Sequence, residues 1–111
     1  MICDVLRNLS FKLIENDDGH ASESTVMTFD ESINPNKAVY SGANVLCGQV
    51  LVQDNIMLYQ SVSHERILSA GRAIISLDND KAPRIMTLNW RWLTGDLSQG
   101  ISIWHKIDKL D

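Results

Sequence analysis

The chain has 111 residues, 44% of them hydrophobic and 22% charged, with 14 acids against 10 bases and a net charge of −4. This is the size of one domain, expected over residues 1–111, and it can bury about two thirds of its unfolded surface without a disulfide or a metal. Nucleic acid is excluded as a default partner, because phosphate binding needs Lys and Arg on one face and the bases here (Arg84, Arg91, Lys106, Lys109) are scattered. Cys3 and Cys47 lie far apart with no C-x-x-C spacing, so they define neither a disulfide framework nor a zinc site. Met1–Asp4 shows no signal-peptide pattern, and no apolar run is long enough to span a bilayer. The expectation is a soluble cytoplasmic protein with no membrane partner.

Ile2, Val5, Leu6 and Leu9 fall at i, i+3, i+4 and i+7 and predict a short N-terminal helix. Ser10–Glu15 serves equally as its continuation or as a strand. Asn16-Asp17-Asp18-Gly19 ends that element with a turn. The period then becomes two. Thr25–Phe29 reads as a strand rich in β-branched and aromatic residues, and Asn34-Pro35-Asn36 breaks the chain. Lys37–Val52 reads as one long extended stretch, interrupted by Gly42 and Gly48. Glycines inside strands mark a bend, a bulge or a close backbone approach. Asp54-Asn55 is a turn, Ile56–Val62 a strand, and Arg72–Leu77 another, closed by a hydrophilic loop that ends in Pro83.

The last third has the clearest alternation. Met86, Leu88, Trp90 and Trp92 share one face of Arg84–Leu93, opposite Thr87, Asn89 and Arg91. A Gly-containing connection leads to Ile101–Ile107, where Ile101, Ile103, His105 and Ile107 share a face opposite Ser102, Trp104 and Lys106. The pair predicts a hairpin. The whole predicts a mainly β (α+β) fold: a short N-terminal helix, then an antiparallel meander of five or six strands curled into a small barrel or half-barrel. Gly71–Leu77, a Trp-bearing strand, a Gly loop and a final strand together resemble the closing end of a lipocalin-like or avidin-like barrel, over about the last forty residues. The Gly-x-Trp signature that opens lipocalins is absent from the N-terminal part.

No Walker loop, G-x-S-x-G or dinucleotide fingerprint is present, so no catalytic residue, cofactor or metal site is assigned. His64-Glu65 begins like H-E-x-x-H, but the fifth position is Leu68, which removes the second ligand. The candidate ligand-binding residues are Tyr40, Asn44, Tyr59, Trp90, Trp92 and His105. They would supply flat rings and a few oriented polar groups to a mostly apolar pocket. His105, between Ile103 and Ile107, would be a polar anchor or a satisfied core histidine. Trp104, on the opposite face, is expected at an interface.

Three functional readings stay open. The favoured one is a binding module for a small apolar or aromatic molecule. The second is an acidic interaction factor, of inhibitor or immunity type, masking a basic protein partner. The third is an enzyme using His105 or His64 with carboxylates such as Asp78 or Glu65. A homo-oligomer, a dimer, is expected under each, since a small sheet leaves edges and an aromatic face to cover.

Overall fold

The computed structural model describes residues 5–16, 25–42 and 45–108. Eight strands follow in chain order: β1 (Ser10–Asn16), β2 (Val26–Phe29), β3 (Asn36–Gly42), β4 (Val45–Gln53), β5 (Ile56–Val62), β6 (Leu68–Leu77), β7 (Ile85–Trp92) and β8 (Gln99–Ile107). Each pairs antiparallel with the next, and β8 pairs back onto β1, so the sheet closes into an up-and-down barrel. Closure gives every strand two neighbours and removes the open edges at which sheets associate. The antiparallel barrel expected from the sequence is therefore observed, with eight strands instead of five or six and complete closure instead of a half-barrel.

Two segments account for the added strands. Ser10–Asn16 is a strand that bridges β2 and β8. Lys37–Val52 is not one extended stretch. It folds back on itself as β3 and β4, paired from Asn36↔Val52 to Gly42↔Val45. Folding back lets the backbone groups of each half satisfy those of the other. Gly42 lies hard against Thr25, where a Cβ would collide with both backbone and side chain. The predicted N-terminal helix falls partly outside the described residues. Among the described residues Val5 and Leu6 are helical and Arg7 and Asn8 form a turn, with Leu6 fully buried in the core.

Alternation along each strand fills the barrel. On β7, Met86, Leu88 and Trp90 point inward while Ile85, Asn89 and Arg91 point out. On β6, Gly71, Ala73 and Ile75 point inward between Arg72, Ile74 and Ser76. One end is packed solid by Leu6, Phe11, Phe29, Val52, Ile75 and Met86. There the rings of Phe11 and Phe29 meet edge to face, with centroids 6.3 Å apart. The turn from β6 to β7 at this end is held by the Asp78 carboxylate, which accepts the backbone N–H groups of Arg84 and Ile85 at 2.9 Å each. At the opposite end, where β1, β3, β5 and β7 finish, the core is incomplete.

Candidate functional site

A cavity of about 60 Å³ occupies that second end. Five aromatic rings line it: Tyr40 from β3, Tyr59 from β5, Trp90 and Trp92 from β7, and Trp104 from β8. Leu13, Met27, Met57 and Leu88 fill the wall between them, and Asn16 and Ser102 are its remaining polar residues. Among the described residues, no charged side chain contributes to the lining.

Glycines on neighbouring strands make room for two of the rings, Tyr40 and Tyr59. Tyr40 is the strand partner of Gly48, Tyr59 of Gly71, and Trp90 of Gly100. A Cβ at Gly48 would fall within the Tyr40 ring. A Cβ at Gly71 would lie 2.5 Å from the Tyr59 hydroxyl oxygen and 2.5 Å from the Arg91 carbonyl oxygen. The Tyr40 and Tyr59 rings thus lie across a backbone stripped of its side chain, a pairing that lets a large aromatic cover an otherwise thin strand.

The polar tips of the rings are tied into the wall. Tyr59 donates its hydroxyl to the Arg91 carbonyl at 3.0 Å, and its ring meets Trp92 edge to face at 4.9 Å. Trp90 Nε1 donates to Asn16 Oδ1 at 3.0 Å. Trp104 Nε1 donates to Ser102 Oγ at 2.9 Å, in a fully buried pair. The last of these satisfies a buried donor that would otherwise cost about 1–3 kcal/mol. Burial pushes the Tyr40 phenol up to about 12, opposed by its hydrogen bond with Ser61. Burial raises Tyr59 further, helped by the neighbouring Tyr40 phenol. Both stay protonated and neutral near pH 7.

Of the residues singled out in the sequence, Tyr40, Tyr59, Trp90 and Trp92 come together around the cavity. Asn44 lies outside the described residues. His105 is corrected: it is exposed on the outer wall, opposite Ile85. Trp104 is corrected with it, since it is buried inside the barrel and not on an interface-facing side. The cause is that β8 is apolar on both faces. Ile101, Ile103 and Ile107 outvote Trp104 by number in a pattern reading, but the interior takes Trp104 and Ser102, whose mutual hydrogen bond makes the serine compatible with burial. Leu46 is exposed although it shares sequence parity with Tyr40, because the β3–β4 reversal and a register shift between Tyr40 and Gly42 intervene. Asn16 and Ser102 were missed. Asn16 reads as part of a turn, and a buried serine leaves no pattern signal; the strand glycines were the usable clue.

His20 lies outside the described residues, and the two described histidines do not come together. His64 sits in the β5–β6 turn and His105 near the opposite end of the barrel. Among the described residues no three His, Cys, Asp or Glu side chains converge as a metal site.

A closed eight-stranded barrel with a ring-lined cavity at one end defines the class of small-ligand-binding β-barrels. A family model described as Avidin-like protein matches residues 5–107, and the chain belongs to that family. Neither the curated proteins nor the solved structures contain a match to it.

Proposed function

We propose that this chain is a binding protein that takes an apolar or aromatic small molecule, or the apolar head of one, into the open end of its barrel. The observation that carries this reading is the gathering of Tyr40, Tyr59, Trp90, Trp92 and Trp104 around one cavity whose lining, among the described residues, is uncharged. Five rings in one place exceed what the packed end needs, since that end closes with two phenylalanines and aliphatic side chains. Membership of a family whose barrels bind small ligands such as biotin supports it. The cavity is compact beside the ~300–1,000 Å³ of pockets that engulf whole drug-sized ligands, so it suits a head group with the rest of the molecule at the mouth. Native mass spectrometry of freshly purified protein, repeated after denaturation, tests the reading. A mass excess lost on denaturation supports it and gives the ligand's class. An apo mass, with no thermal shift across a panel of small aromatic and aliphatic compounds, contradicts it.

The same proposal includes self-association through the outer wall. Val39, Leu51 and Leu58 are exposed there on adjacent strands, flanked by Gln49 and Gln60. Contiguous exposed apolar surface of this kind marks interaction sites. Light scattering should show a dimer that Leu58→Glu dissociates; a monomeric wild type contradicts it.

A further inference from the structure

We propose that the head group held in the cavity is a cation, an alkylated ammonium caged by Tyr40, Tyr59, Trp90, Trp92 and Trp104. The inference rests on the binding reading above and specifies the ligand class for the same site.

Among the described residues the lining carries no base, so a ligand carboxylate or phosphate would be buried against them without a counter-charge, at a cost of several kcal/mol. Arg72 and Arg91, which face each other across β6 and β7, are exposed on the outer wall and cannot serve the interior. The hydrogen-bonding edges of the rings are also engaged. Trp90 and Trp104 give their N–H groups to Asn16 and Ser102, and Tyr59 gives its O–H to a backbone carbonyl. What these rings leave for a ligand is their faces and the oxygen lone pairs. Among the described residues the Asn16 amide nitrogen and the Ser102 hydroxyl hydrogen remain as donors, few beside five aromatic rings.

Electron-rich faces attract a cation through the ring quadrupole, and most strongly when water is excluded. They do so without a buried anion, which fits a lining to which no described residue contributes a carboxylate. A primary ammonium would bring three N–H donors needing acceptors. An alkylated one brings methyl groups, which match Leu13, Met27, Met57 and Leu88 as well as the rings. Its compact shape suits a cavity of about 60 Å³. Two turns at this end, residues 63–67 and 93–98, carry Glu65 and Asp96 against Arg66, and the chain as a whole carries −4, so the field favours a cation's approach.

The test compares choline with 3,3-dimethylbutanol, its uncharged isostere, by calorimetry and by the indole N–H signals in ¹H–¹⁵N spectra. Choline is expected to shift the Trp90 and Trp104 signals and to bind about tenfold more tightly than the isostere. Trp92→Phe, at a half-buried position, is expected to weaken choline several-fold and leave the isostere unchanged. Equal or tighter binding of the isostere overturns the cation assignment while leaving the binding reading intact. Binding of neither probe, with uncharged aromatic fragments still shifting the indole signals, also overturns the cation assignment alone. Silence of the indoles toward every probe overturns both.

Discussion

The hydroxyl of Tyr59 stands over Gly71, its partner on the next strand, so closely that a Cβ at position 71 would lie 2.5 Å from the phenolic oxygen. The Arg91 carbonyl that accepts the same hydroxyl is equally close to that Cβ, so the backbone cannot yield. Gly71→Ala should therefore cost about 1–3 kcal/mol in urea denaturation. Gly48→Ala should behave alike against the Tyr40 ring. Its penalty should vanish in a Tyr40→Ala background, because only that ring is in the way; a persistent penalty would place the constraint in the backbone.

Neighbouring positions on β8 should respond in opposite ways. Ser102→Ala leaves the buried Trp104 N–H without its acceptor and should cost about 1–3 kcal/mol. His105→Ala removes an exposed side chain from the outer wall and should change stability by no more than about 0.5 kcal/mol, with ligand affinity unaltered. Thermal or urea melts of the two variants check this, and a large loss from His105→Ala would reverse the assigned faces.

Acid should act partly through Asp78. The N–H groups of Ile85 and Arg84 hold its carboxyl below its ordinary value of 3.8. A lowered folded-state pKa contributes stability that is complete above the unfolded value and lost as pH falls through the folded one. Asp78→Asn should remove that component, so its urea midpoint should fall less steeply than the wild type's from about pH 5 to about pH 2. Parallel curves would contradict it.

Alkali should act through the two phenols. Tyr40 is raised from 10.0 to about 12, and Tyr59 is raised as well. The folded state thus holds protons that the unfolded state has released. Stability should be complete below pH 10 and decline as pH rises from there through about 12. Phenolate absorbance of these two residues should appear with unfolding and not ahead of it.

The barrel class was legible because β7 states its alternation without ambiguity: Met86, Leu88, Trp90 and Trp92 all proved to face inward. The strand count was less legible. The reversal between β3 and β4 has no Asn-Gly or Asp-Gly signal, and two apolar strands in tandem read as one. The site was legible in Tyr40, Tyr59, Trp90 and Trp92, whose rings are the large groups of their strands. Trp104 and His105 were exchanged because parity alone cannot choose a face when the outer wall is itself apolar, with Ile101 exposed and Ile103 only half-buried. Asn16 and Ser102 became visible only once the indole N–H groups had located them.

The central claim is that the ring-lined end of the barrel receives a ligand. The most direct measurement is a ¹H–¹⁵N spectrum of the labelled protein, following the three indole N–H signals through a titration with a library of small aromatic and alkylammonium fragments. The account predicts saturable shifts of Trp90 and Trp104 together, weakened by Trp92→Ala, at a half-buried position of the lining, in a protein whose remaining spectrum stays folded. Indole signals that no fragment moves, with shifts confined to outer-wall residues such as Val39 and Leu58, would contradict it.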